Sequence, residues 1–165
     1  MEGVTIRRDA PIKLYGFTEY FQGFEKVQAV RDLFGDKTRK VLEDLKVEFF
    51  SSRWGYMGVS EEDGHLKVST YHLRNGDERE LYLDVIHELV HVRQYMDGKE
   101  FFPEGIKYPD LPTEIEAYQV TIGEARRIGM KEEEILEYLR VPWMDDEDYE
   151  KLLVNLGIRI VASSD

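Results

Sequence analysis

Apolar residues recur along this chain with two different periods, three to four in most stretches and close to two in one region. FEKVQAVRDLF, residues 24–34, carries Phe24, Val27, Val30 and Phe34 at helical spacing, with Gly35 behind them as a stop. This predicts a helix, and Asp36 as the cap of a second one over KTRKVLEDL. The stretches KVEFFSS, WGYMGVS and HLKVSTYHL are short and rich in β-branched and aromatic residues, with SSRW and EEDG as turns between them. They predict three strands, the last two a hairpin closing near Glu61 to Gly64. A helix then starts near Glu78, because Asp77 and Glu80 fit a capping box, and runs to Met96 or Asp97 with Gly98 as its stop. Leu81, Val85, Leu89, Val92 and Met96 lie along one side of it, with Tyr82, Ile86 and Val90 beside them. A helix so widely apolar is expected at the centre of the fold. FFPEGIKYPDLP follows as a loop, TEIEAYQVTIGEARRIG as a second helix, and KEEEILEYLR and DEDYEKLLVNLG as two shorter ones. The first fifteen residues show no clear pattern. Strands segregated from helices in this order predict an α+β fold. Its small, three-stranded, mainly antiparallel sheet is expected to pack on the central helix.

Length and composition narrow the classes. The 165 residues suffice for one domain with a real core, so 1–165 is read as a single unit. No apolar run is long enough to span a membrane. The opening MEGVTIRRDAPIKLYG lacks the continuous apolar stretch of a secretory signal, which makes the cytoplasm the expected location. The absence of cysteine excludes disulfides, thiolate metal sites and a cysteine nucleophile. A formal net charge of −12 argues against nucleic acid as a partner, since phosphate binding needs clustered Lys and Arg. The acids are spread over helix surfaces, as in KEEEILEY, and read as a solvated face. Two Asn and four Gln beside abundant Glu, Lys and Arg are the composition that thermophilic proteins favour.

The central helix contains HELVH, with His87 and His91 four residues apart and Glu88 beside the first. On a helix, residues four apart share a face, so two imidazoles can reach one metal ion. Glu88 points about 100° away around the axis. It is therefore placed to act on a water held by the metal rather than to share its coordination, the arrangement of a zinc hydrolase with a glutamate base. The motif sits mid-helix among apolar residues, where a polar cluster without partners is costly. A catalytic zinc site needs a third protein ligand. No histidine follows His91 in the chain, and His65 and His72 lie upstream on the expected third strand. The helix after the loop offers Glu114 and Glu116. Glu114 is favoured, because Ala117 one turn on lets the two helices approach closely. Glu116 has a competing role as the far end of a capping box with Thr113.

HELVH followed by PTEIEAY resembles the gluzincin metallopeptidases, whose third zinc ligand is a glutamate on a downstream helix. The E-x-E-A pattern is similar to the glutamate-helix motif of small soluble gluzincins and of related membrane peptidases. The similarity covers roughly residues 45–129. It implies a zincin-like fold, Zn²⁺ as cofactor and a peptide or protein as substrate. By position it implies His87, His91 and Glu114 as ligands and Glu88 as general base. Many of these enzymes carry an aspartate four residues after the ligand glutamate to orient a histidine. Here that position is Tyr118, and Asp84, one turn before His87, is the candidate replacement. The resemblance further implies that HLKVSTYHL is a sheet edge, with Lys67, Ser69 and Thr70 on it, where an extended peptide can pair. Tyr118, His72 and Tyr108 are candidate oxyanion donors.

Two other readings fit the same residues: a zinc-binding regulatory module that cleaves nothing, and a helical interaction protein without metal. The segment from Val141 has two possible places. PWMDDEDY can lie over the cleft through its Pro142–Met144 anchor, or pack as a terminal helix on the far side, which is the expectation.

Overall fold

A computed structural model describes residues 13–53 and 56–158. The protein is α+β and 60% helical, with one small four-stranded mixed sheet. β1 (Leu14–Gly16) runs into a single turn, α1 (Phe17–Tyr20), and two short helices follow, α2 (Gln28–Phe34) and α3 (Thr38–Asp44). β2 (Lys46–Phe50), β3 (Met57–Val59) and β4 (Leu66–Ser69) complete the sheet. Then come α4 (Thr70–Asn75), the long α5 (Glu78–Met96), α6 (Pro112–Arg127), α7 (Glu132–Leu139) and α8 (Asp146–Asn155).

The sheet departs from expectation in strand number and in order. It reads β1-β2-β4-β3, with β2 and β4 parallel and the outer pairs antiparallel. β1 comes from the part of the chain that shows no sequence pattern. It is only three residues long and half-exposed, too short for a period of two to register. The β3–β4 hairpin forms as predicted. Its turn closes through Gly64 N–H donating to Ser60 O (2.9 Å), with Gly64 at φ +76° under the ring of Tyr95. A Cβ there would sit 2.4 Å from that ring, so only glycine fits. Trp54 and Gly55, part of the expected second strand, lie outside the described residues.

Three boundary expectations are corrected. HLKVSTYHL is not one strand. Ser69 ends β4 because its Oγ accepts the His72 N–H (3.3 Å) and caps α4, so His72 sits on a helix. The predicted 24–34 helix breaks at Val27, whose ψ of 125° separates one 3₁₀ turn from α2. Asp36 lies within another 3₁₀ turn and caps nothing, whereas Thr38 donates to Gly35 O (2.7 Å) at the start of α3.

α5 matches its predicted span. The Asp77 side chain accepts from Arg79 N–H and Glu80 N–H at its start. Every residue from Val85 to Val92 is buried, because α5 lies between two apolar clusters. On one side Val85, Ile86 and Leu89 meet Val47, Leu66 and Val68 of the sheet and Phe17, Val30 and Leu42 of the first helices. On the other, Leu83 joins Ile122, Ile135, Leu139, Leu152 and Leu153 of the last three helices. Each fully buried Leu or Ile contributes about 1.5–3 kcal/mol, which fixes α5 in place and with it the polar residues it carries. α6 packs along α5. Its N-cap is Leu111, so Thr113 lies inside the helix and donates to Phe101 O (3.2 Å), and the Thr113–Glu116 capping box does not form. Among the described residues no helix is long and apolar enough to cross a membrane.

Candidate metal centre

His87, Glu88 and His91 are all buried on α5, and their ligand atoms lie within 4.8 Å of one another, close enough to bind a metal ion. α6 adds a fourth group. Glu114 Oε2 is 3.1 Å from His87 Nε2 and Glu114 Oε1 is 3.2 Å from His91 Nε2. The two Nε2 atoms are themselves 3.2 Å apart. Donors held at 2.0–2.1 Å around a tetrahedral ion are separated by about 3.3 Å. Each contact among the three groups is thus close to that spacing, with the two imidazoles facing different oxygens of Glu114.

The chemistry of the donors makes the same point. Gln94 Nε2–H donates to Thr113 O (2.9 Å) and to Glu116 Oε1 (3.1 Å), so its carbonyl faces His91. His91 Nδ1–H donates to that carbonyl at 2.7 Å. In neutral His91 the lone pair is then on Nε2, pointing at another imidazole nitrogen and a carboxylate. A metal ion or a shared proton would satisfy such a convergence of lone pairs. In the metal-free protein a proton takes that part. Burial disfavours charge on His91, but the Glu114 hydrogen bond and the Glu88 and Glu114 charges outweigh it and push His91 up to about 9. Burial likewise acts to raise Glu114, and the hydrogen bonds from His87 and His91 overcome it, holding the carboxyl well below the usual range. Among the described residues two buried side-chain polar atoms have no hydrogen-bond partner, His87 Nδ1 and Glu88 Oε2. Burial raises the Glu88 carboxyl, with the two histidines only partly opposing it.

Glu116, the alternative ligand, is turned away. Two residues along a helix is about 200°, and its carboxylate meets Lys99 (3.2 Å) and Gln94 at the surface. Asp84 lines the same cleft but does not take up His87. It accepts from His72 Nε2–H (2.7 Å) and Tyr138 O–H (2.6 Å). Tyr118 packs its ring edge on His87 (4.6 Å) and its hydroxyl lies 2.8 Å from that of Tyr108, which donates to Glu114 Oε2 at 3.2 Å. The order of protons is then Tyr118 to Tyr108 to Glu114. The hydroxyl protons of Tyr108 and Tyr118 and the Nε2 proton of His72 are thus all committed within the protein.

These groups open into a cleft of about 440 Å³. One wall is the strand Met57–Val59. β4, expected as the sheet edge, lies between β2 and β3 with Leu66 and Val68 fully buried, so the edge beside the candidate site is β3. Lys67, Ser69 and Thr70 do not form an edge. The opposite rim is Val141, Pro142 and Trp143, the connection between α7 and α8. Trp143 packs on Tyr108 (6.2 Å) and Tyr56 (5.7 Å). Pro142 and Trp143 of the anchor thus line the cleft, against expectation, and Met144 does not. The acids behind it do not line the cleft: Asp145 caps α8 by accepting Asp148 N–H (2.8 Å), and α8 buries Leu152 and Leu153 in the second apolar cluster.

Sequence reasoning missed Gln94, Tyr138 and the place of Trp143. Gln94 did leave a signal, since it stands one turn after His91 on the same face of the helix. No known protein family matches the chain, and no curated protein or solved structure is significantly similar to it.

Proposed function

We propose that this protein is a zinc-dependent peptidase of zincin-like, gluzincin arrangement, with His87, His91 and Glu114 as ligands and Glu88 as general base. The observation that carries this reading is the convergence of Glu114, from a second helix, on both histidines, with the Glu88 carboxyl beside them in the wall of a cleft. Bound zinc would supply a Lewis acid that brings the pKa of water toward about 7 and polarises a carbonyl. The chain supplies the rest. Glu88 Oε2, buried and without a protein partner, is free to take a proton and return it to the leaving amine. Tyr108, itself hydrogen-bonded to Tyr118, donates to Glu114 and so helps the proposed ligand carboxylate keep one orientation. β3 offers an unpaired strand edge along which an extended peptide can add. Glu114 is the ligand in this reading and Glu116 is not, because only Glu114 faces the imidazoles.

One observation favours a second reading, a zinc-binding module that is silent as isolated: the Val141–Trp143 connection lies on the rim of the cleft. The experiment that tests the main reading is zinc content of the purified protein, followed by cleavage of a denatured protein substrate with Glu88→Gln as control. Zinc with cleavage that the Glu88 variant loses supports the peptidase. Zinc without cleavage supports the silent module, and absence of zinc uptake removes both.

A further inference from the structure

Gln94 is fully buried in α5, an expensive place for a primary amide unless all its hydrogen-bonding capacity is used. All of it is. The carbonyl oxygen accepts from His91 Nδ1–H (2.7 Å), and the amide nitrogen donates to Thr113 O (2.9 Å) and Glu116 Oε1 (3.1 Å). The first contact is on its own helix. The other two are on α6, immediately before and two residues after Glu114. One side chain therefore touches the imidazole of His91 and brackets the backbone that carries Glu114.

We infer that Gln94 is the positioning residue of the metal centre: it fixes the His91 tautomer that presents Nε2, and it locks α6 in the register that brings Glu114 to the two histidines. This rests on the metal-site reading above. The two histidines are not equivalent in this respect. His87 Nδ1 has no partner among the described residues, so no hydrogen bond from behind the ring aims its Nε2 at the site, whereas Gln94 does this for His91. The inference also assigns a role to Glu116, rejected as a ligand: its carboxylate orients the Gln94 amide so that the carbonyl, not the nitrogen, faces His91. Lys99 holds that carboxylate from the solvent side at 3.2 Å.

The test compares zinc affinity, measured by competition with a chromophoric chelator, and the visible spectrum of the cobalt-substituted protein, in wild type, Gln94→Leu, Gln94→Glu and the double variant Gln94→Glu with Glu116→Gln. Gln94→Leu keeps the volume and removes every hydrogen bond. It is expected to weaken zinc binding about 10- to 100-fold and to alter the cobalt bands, the size of effect seen when a partner behind a ligand is lost. Gln94→Glu still accepts from His91 but sets two carboxylates against each other, so it is also expected to bind weakly. In the double variant residue 116 becomes the donor and residue 94 the acceptor, which removes the clash of carboxylates while Thr113 O stays without its donor, so affinity is expected to recover in part and to exceed that of Gln94→Glu clearly. A merely structural role for Gln94 would not produce that rescue. Should Gln94→Leu fail to fold, the Gln94→Glu pair decides alone. Wild-type affinity and spectrum in Gln94→Leu, or a double variant no better than Gln94→Glu, overturns the inference and leaves the metal centre standing. Wild-type protein that takes up no zinc overturns both.

Discussion

Glu114 on α6 reaches His87 on α5 with Oε2 3.1 Å from Nε2, although the loop 97–111 separates the two helices in the chain. A ligand set that spans two helices ties metal binding to folding. The zinc-loaded protein is expected to hold about one ion per chain and to melt higher than the metal-free form. Free zinc at 100 times its dissociation constant stabilises by about 2.7 kcal/mol. His87→Ala and His91→Ala should each abolish that gain. Elemental analysis with paired melting curves checks this, and a wild-type melting temperature indifferent to zinc contradicts it.

The two glutamates of PTEIEAY should separate cleanly. Glu114→Gln alters the proposed third ligand and should weaken zinc binding by more than the roughly 100-fold expected of a group behind a ligand. Glu116→Gln loses an exposed ion pair with Lys99, 3.2 Å long, and should cost at most about 1 kcal/mol of stability. Zinc titrations of the two variants check this. The opposite order would move the ligand by two residues.

Glu88→Gln should keep zinc and lose about 10²- to 10⁴-fold in peptide hydrolysis. Its effect on the metal-free protein has the opposite sense. The folded-state pKa of Glu88 is raised, so this group favours the fold fully below its ordinary value of 4.5 and loses that contribution as pH rises through the raised value. Replacing it should therefore raise the metal-free melting temperature at neutral pH, and the difference should vanish on acidification below 4.5. Melting curves across pH decide it.

Zinc affinity should depend on pH through His91. Imidazole must be neutral to bind metal, and in the metal-free protein this one is pushed up to about 9. Each ion bound below that pH displaces a proton. Affinity should therefore rise about tenfold per pH unit at neutrality and flatten above about 9. Isothermal titration in buffers of different ionisation enthalpy counts the proton, and a flat profile between pH 7 and 9 contradicts the prediction.

Trp143 is the residue with which to probe the rim of the cleft. A truncation at Arg140 would remove Leu152 and Leu153, both buried in the core, and should unfold the C-terminal half. Trp143→Ala is half-exposed and should fold. It removes the contact with Tyr108 and Tyr56 and widens the mouth of the cleft. Cleavage of a bulky substrate should increase while hydrolysis of a short peptide stays near wild type. Equal rates on both substrates in variant and wild type would show that the rim does not limit entry.

Local signals were enough for much of this protein. Asp77 and Gly98 bracket α5 in the sequence as they do in the structure, since capping and helix termination involve residues one turn apart. The histidine pair and its glutamate were legible for the same reason: four residues on a helix is one turn, whatever surrounds it. Ser69 was misjudged because β-branched neighbours argue for strand while its hydroxyl argues for a cap, and the cap prevailed.

The sequence by itself determined the helix that carries His87, Glu88 and His91, and reduced the third candidate to two glutamates. Only the tertiary structure decided which of them turns inward. It also exchanged β4 for β3 at the edge beside the cleft, placed Trp143 on the rim, and joined Gln94 to the backbone around Glu114. Those relationships depend on how α6, the sheet and the α7–α8 connection pack against α5. Packing is set by the summed burial of many apolar residues far apart in the chain, and no short window of sequence contains that sum.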